Sequence, residues 1–449
     1  MLVAAAAARL RSTRSLPRAR PLTMGRRSRA ARNRVLTPRE VVTLQRTPGG
    51  VPEVARCHPE EYDAQLRAKV QQLETQLASA VGAHQTALPP AEVFESERTH
   101  FRMRASFAMW REGRDPTTLH YVMYERGDSK TPHEVTSFPM GSRRINELMT
   151  PLRDGLASEL VLHERIGDAR FLTTTTGDAL VALTYNVPLD GARGDAWVAA
   201  ATELAARLGI QIVGRSRGIK LVVGGETVTE VLQVEGRGAC TYAQLEGAFT
   251  QPNAKVCEAM LTWAHGATAA LGAAGDGGHD LCELYCGNGC FTIALAPTFR
   301  RVLATELSKA SVDLAERNLA TNGVDNVAVG RLSAEEFVEA HTGGRRFHRL
   351  DSKGIDVASY DMRTLFVDPP RAGLDATCRE LAATFDHVVY VSCNPETLAR
   401  DVTQLSATHD VARVAAFDQF PYTPHLECGV VLQAKSDAVA VDRPQYGRE

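Results

Sequence analysis

The chain has 449 residues, of which 44% are hydrophobic and 23% charged, with 51 Lys and Arg against 53 Asp and Glu for a formal charge of −2. That is a globular composition with room for two or three domains, and no apolar run reaches the roughly 18 residues of a membrane span, so a membrane protein is excluded as a reading. Nine scattered cysteines are too few for a disulfide framework and suit a reducing compartment.

The first forty residues stand apart, with eleven Arg and no acid before Glu40. This is the composition of a transit peptide, so residues 1–57 are expected to be a disordered targeting segment for a mitochondrion or plastid. A cytoplasmic protein with a basic tail that helps hold RNA is the alternative, and Met24 offers a second start. Without those eleven Arg the rest holds 40 basic residues against 53 acidic, a net of −13. Such a body would not adsorb indiscriminately on nucleic acid and needs a local basic patch to bind it.

Residues 62–81 (YDAQLRAKVQQLETQLASAV) carry apolar residues at helical spacing. From Phe94 to Glu246 strand-like runs dominate: RMRASFAMW, LHYVMYE, EVTSF, RFLTTTT, ALVALTYNV and GIKLVVGG, interrupted by a helix, AWVAAATELAARL, closed by Gly209. Residues 58–250 are therefore an expected α+β domain. After Gln251, short apolar runs (DLCELYC, RVLATEL, NVAVGRL, TLFVDPP, HVVYVSC) are mostly separated by helical stretches, which implies a parallel sheet with helices on both faces. VARVAAF and LECGVVLQA suit a closing antiparallel pair. Residues 251–435 form this α/β domain, and 436–449 a tail.

The run CELYCGNGC (282–290) holds three cysteines. Residues four apart on a strand lie about 13 Å apart, so Cys282 and Cys286 do not share an ion, and no C-x-x-C pair is present; no metal or iron–sulfur cluster is expected. The glycines matter more. A glycine turn after the first strand, with Glu306 closing the second, fits a nucleoside-bearing cofactor, whether a nicotinamide dinucleotide or S-adenosylmethionine. Thr292 stands where the full dinucleotide pattern needs glycine.

Asp368 in FVDPPR and Cys393 in SCNPE end the fourth and fifth strands, which should be neighbours over one crevice. Asp-Pro-Pro also occurs in enzymes that methylate exocyclic amines, but there an aromatic residue follows, and here Arg371 does. A cysteine nucleophile and the carboxylate of Glu427 make sense together for a pyrimidine. Thiolate addition at C6 makes C5 enolate-like and able to accept a methyl group, and a base must then remove the C5 proton.

FTQPN (249–253), ELYCGNG (283–289), ATE (304–306), FVDPPR (366–371), SCNPET (392–397) and FDQFPYTPHLECGVVL (417–432) together closely resemble the bacterial-type tRNA (uracil-5-)-methyltransferases, over roughly residues 58–435. The resemblance implies a class I methyltransferase domain, Rossmann-like with a seven-stranded sheet, behind an α+β RNA-binding domain. It implies methyl transfer from S-adenosyl-L-methionine to C5 of the uracil at position 54 in the tRNA T-arm. By position it makes Cys393 the nucleophile and Glu427 the proton acceptor, with Gln251, Tyr285, Glu306 and Asp368 around the cofactor. Cys290 departs from the Asn the family often has there, which should alter cofactor affinity. The related ribosomal-RNA enzymes usually carry a four-cysteine cluster, and Cys57 is the only cysteine before Cys240; the cytosine-5 enzymes carry a cysteine where Arg371 stands. Arg102 and Arg104, on one strand face with Phe101 and Phe107 nearby, suit a folded RNA loop. A catalytically silent tRNA-binding chaperone and an amine N-methyltransferase are the other readings carried forward.

Overall fold

The computed structural model describes residues 43–113, 118–125, 127–272 and 278–436. Of the segment 1–57 expected to be disordered, residues 1–42 lie outside them, as does the tail from 437; residues 43–57 do not, and Ala55 is buried in the core of the first sheet. None of the described helices is long and apolar enough to cross a membrane.

Helix α1 (Tyr62–Val81) and strand β1 (Ala91–Phe94) come first. A seven-stranded sheet follows, built from β2 (Arg104–Arg111), β3 (Leu119–Met123), β4 (His133–Glu134), β5 (Ile166–Thr173), β6 (Ala179–Tyr185), β7 (Gln211–Ser216) and β8 (Ile219–Val223) in the order 4-3-2-5-6-7-8. Helices α2 (Arg143–Ser158), α3 (Leu160–His163) and α4 (Gly191–Leu208) accompany it. On α2, Ile145, Leu148, Met149, Leu152 and Leu156 recur at helical spacing and join Phe107, Phe171 and Trp197 in one core. Ser142 caps that helix by accepting the Ile145 N–H. Gly209, in the left-handed conformation, ends α4 as the sequence anticipates.

Strands β9 (Thr227–Val234) and β10 (Gly238–Leu245) form a separate hairpin. Its outer edge is held by two amides one turn apart on a later helix, α7 (Lys309–Thr321) and its cap. Asn318 accepts from Ala243 N at 2.8 Å and Asn322 from Thr241 N at 2.8 Å, and each donates back to the same residue's carbonyl. The side chains thus stand in for a neighbouring strand, which satisfies an edge that would otherwise be open.

The remaining elements before and after α7 are α5 (Ala254–Gly272), β11 (Asp280–Leu284), α6 (Cys290–Leu295), β12 (Val302–Thr305), β13 (Val327–Gly330), α8 (Ala334–His341), α9 (His348–Asp351), β14 (Met362–Val367), α10 (Ala376–Ala382), β15 (His387–Ser392), α11 (Pro395–Leu405), β16 (His409–Phe417) and β17 (Glu427–Ala434). Their sheet runs β1-β16-β17-β15-β14-β11-β12-β13, parallel except where β17 pairs antiparallel with β15 and β16. Near-continuous apolar strands buried on both faces are what a helix-covered parallel sheet requires. Cys282 packs in the core on one side and Cys286 in the other, as two inert apolar residues.

The sheet has eight strands where seven were expected. The addition is β1, which joins the edge parallel to β16 through register pairs from Ala91↔Val414 to Phe94↔Phe417. Helix α1 also belongs with this sheet: Leu73 and Leu77 are fully buried in its core. Lys69 Nζ donates to Asp418 Oδ1 at 2.8 Å and to the Phe420 carbonyl at 3.1 Å. That buried pair fixes the start of the loop between β16 and β17, which carries Phe420 toward the cavity described next.

Candidate active site

A cavity of about 810 Å³ opens at the carboxyl ends of the parallel strands, where ligands of α/β sheets bind. Gln251, Tyr285, Glu306, Asp368, Cys393 and Glu427 all line it.

The turn from β11 into α6 forms one wall. Gly287 and Gly289 have φ of +57° and +81°, which side-chain-bearing residues rarely adopt, and this explains both glycines. Tyr285 has φ of +63° without that freedom, a strain of order 1–3 kcal/mol of the kind that clusters at functional sites. The turn is tied at two points. Glu306 accepts from Gly287 N at 3.2 Å and from Ser308 N at 2.7 Å, while Asn318, the residue that braces the hairpin, donates to the Asn288 carbonyl at 3.0 Å.

Asp368 and Cys393 follow the neighbouring strands β14 and β15. The two loops are fastened together: Asn394 Nδ2 donates to the Arg371 carbonyl at 3.1 Å and Thr397 Oγ1 donates to it at 3.3 Å. Asn394 also caps α11, accepting from Glu396 N, with Pro395 at the first helical position. Glu427 opens β17. Ser392 is registered against Cys428, so Cys393, just past the end of β15, and Glu427, at the head of β17, lie at the same end of the strand pair. They are near enough for the Glu427 carboxyl to act on the Cys393 thiol.

The electrostatics are those of enclosed acids. Burial raises the Asp368 carboxyl to about 7. Glu427, 2% exposed, is raised well above the carboxylate range by burial and then by Asp368, with Arg371 acting against both. The Cys393 thiol is pushed up to about 11 by burial, Glu427 and Asp368, and Arg371 again opposes the shift. Arg371 itself donates to His425 Nδ1 at 2.7 Å on the rim.

Glu283, absent from the sequence expectations, lines the same cavity. It is 1% exposed and its carboxyl is raised to about 8, chiefly by burial. The signal was present: an acid inside an otherwise apolar run, just ahead of the glycine turn. Phe249, 70% exposed on the rim, was also passed over.

Gln251 Oε1, Glu283 Oε2 and Glu427 Oε2 are buried acceptors with no hydrogen-bond partner among the described residues. Leaving such groups unpaired costs about 1–3 kcal/mol each, so all three call for donors on something bound. A ligand with an ammonium group, ribose hydroxyls and an adenine amine supplies those donors, and the residues present fit S-adenosylmethionine.

The family model for tRNA (uracil-5-)-methyltransferases matches residues 61–435. A tRNA/tmRNA (uracil-C(5))-methyltransferase of Ectopseudomonas mendocina is 51% identical over 377 residues, 84% of this chain and 98% of the relative. The one from Azotobacter vinelandii is 50% identical over 377 residues, with the same coverage. Among solved structures, the Pyrococcus abyssi tRNA (uracil-54, C5)-methyltransferase in complex with S-adenosyl-L-homocysteine shares the fold, with a TM-score of 0.58 at 21% identity over 83% of each chain.

These relatives correct one expectation. The first two are bacterial proteins, whose cells have no mitochondrion or plastid, so the organellar address read from the N-terminus is withdrawn together with the transit peptide. The physical reason is that an Arg-rich, acid-free stretch reports only charge. Any solvated basic segment meets that description.

Proposed function

The chain belongs to the tRNA (uracil-5-)-methyltransferase family, and from that premise we propose that it methylates C5 of the T-arm uracil at position 54 through a covalent bond between Cys393 and C6. The observation that carries the reading is that Cys393 and Glu427, at the same end of the paired strands β15 and β17, line one cavity.

S-adenosyl-L-methionine is the methyl donor and supplies an electrophilic methyl group when bound. Glu306 accepts from the ribose hydroxyls, Gln251 and Glu283 offer their unpartnered oxygens, and Tyr285 and Asp368 complete the walls. The target uracil enters extruded from its loop, at a few kcal/mol of unstacking. Phe249 on the rim presents an aromatic face to a displaced base.

The Cys393 sulfur adds to C6, which pushes electrons toward C5 and O4. Arg371 is the nearby cation that favours the thiolate. After the methyl group reaches C5, Glu427 takes the C5 proton, and the electron pair left behind expels the Cys393 sulfur. A carboxylate whose conjugate acid is raised is the stronger base, which suits the removal of a carbon-bound proton. The raised thiol has a complementary meaning, since Cys393 is largely unionised until a substrate changes its surroundings.

The test is a covalent complex with 5-fluorouracil-containing tRNA, in which no C5 proton can leave. Wild-type protein should form a denaturant-stable adduct and Cys393→Ala should form none, with loss of methylation. Methylation surviving in Cys393→Ala would support an amine N-methyltransferase. A wild type that binds tRNA and neither methylates nor forms the adduct would support the silent chaperone.

A further inference from the structure

Cys290 opens α6 directly after the glycine turn, and Cys257 lies in the first turn of α5. Their sulfurs are 3.9 Å apart, and both residues line the cavity. Cys257 is buried, while Cys290 is partly exposed to the cavity. Neither thiol has a part in the reaction above. We propose that Cys257 and Cys290 form a reversible oxidative modification site, a dithiol that hydroperoxides convert to a disulfide and that thereby weakens cofactor binding.

The division of labour follows from access. Cys290 is the one a small oxidant reaches through the cavity. Its thiolate attacks the O–O bond of the hydroperoxide and becomes a sulfenic acid, releasing hydroxide, or alkoxide from an organic hydroperoxide. The Cys257 sulfur then attacks the sulfenic sulfur, and the S–O bond breaks with loss of water. The two thiols together lose two electrons and two protons, and the peroxide is reduced to two waters, or to water and an alcohol. A small dithiol reverses the change by thiol–disulfide exchange. Contact with Cys290 and burial hold the Cys257 thiol well above the ordinary cysteine range, which suits the resolving partner rather than the first to react.

The consequence follows from what Cys290 is attached to. Bond formation requires the sulfurs to close from 3.9 Å to about 2 Å. The Cys290 carbonyl accepts from Tyr242 Oη at 2.9 Å, and the preceding turn is pinned by Glu306 and Asn318. Drawing α6 toward α5 therefore works against contacts that hold the glycine turn in its cofactor-facing shape. Cys240 is buried beside Tyr242 in the same corner and is the competing thiol.

The chemical half of the proposal stands without the RNA substrate, and the affinity half rests on the cofactor reading. Full-length reduced protein should first bind S-adenosylhomocysteine by calorimetry; absence of that binding would overturn the cofactor reading and leave the cross-link to be judged alone. Hydrogen peroxide should then lower the mass by about 2 Da, the span of two lost hydrogens, and peptide mapping should show Cys257 joined to Cys290. Affinity should fall about tenfold, the equivalent of one lost hydrogen bond, and return with dithiothreitol. Cys257→Ser and Cys290→Asn should each abolish the mass change and the peroxide-dependent loss, with every variant compared only with itself before oxidation. Cysteines that remain separately alkylable, a link through Cys240, or a Cys257–Cys290 link without loss of affinity would each overturn the proposal.

Discussion

The two large sheets hold opposite kinds of unpaired ionisable group. Around the eight-stranded sheet the enclosed groups are acids, Glu283, Asp368 and Glu427, all raised by burial and none in an ion pair among the described residues. At the edge of the seven-stranded sheet the corresponding groups are half-buried guanidinium ions. Arg102 and Arg104 are lowered by burial, the former also by its neighbour's like charge, and neither meets a carboxylate among the described residues. Arg102 Nε donates to the Arg104 carbonyl, and Arg104 Nη1 to the carbonyl of Thr250, the residue before Gln251. Withdrawing ionisable groups from water without an opposite charge is costly, and folding alone gives no reason to keep them. On the proposed function the difference is one of ligand: a cationic, donor-rich cofactor suits one side and anionic phosphates the other.

The largest way to break this contrast is Glu427→Gln. On the proposed mechanism it removes the base and leaves the nucleophile, so turnover should fall roughly 10²–10⁴-fold while unfluorinated tRNA accumulates as a covalent adduct, read by denaturing gel. A variant that turned over normally would take the acid side of the comparison apart. Arg102→Ala with Arg104→Ala tests the other side. tRNA affinity should drop about tenfold to a hundredfold, and the dependence on salt should shallow by about two phosphate contacts, with S-adenosylhomocysteine affinity unchanged. Glu306→Gln should raise the cofactor KM about tenfold with little effect on tRNA binding, since it weakens one charged acceptor.

The smallest effect is one of stability. Glu283 is raised from its ordinary value to about 8, so its contribution is complete below about pH 4.5 and is lost as pH rises through 8. Glu283→Gln should therefore stabilise the cofactor-free protein at pH 9, by at most about 5 kcal/mol for a shift of that size, and change little at pH 5, measured by urea unfolding. A gain equal at both pH values would mean the carboxyl does not ionise in this window.

The sequence was most readable where local pattern and fold agree. The strands ending in Asp368 and Cys393 announced themselves as short apolar runs before Pro or Asn-Pro, and Glu427 stood at the head of another. β1 was not legible. AEVF is four residues after two prolines, and its partner β16 is more than 300 residues away, so no local signal specifies the pairing. The hairpin β9–β10 was legible and missed: TVTEVLQV alternates buried and accessible positions along its length. The contact between Cys257 and Cys290 joins two helices and had no signature. Arg102 and Arg104 could be named from sequence, but their lack of acid partners could be seen only in three dimensions.

The pairing of β15 with β17 has a consequence for how such a centre can change over time. On the proposed mechanism the nucleophile and the base come together through strand alignment, with the loop between β16 and β17 pinned at its start by Lys69 on Asp418 and by Asn253 on Gln419. A slip of one residue would turn every side chain of β17 over and carry the carboxylate out of reach of the base. The proposed reaction is thus tied to the alignment of two neighbouring strands.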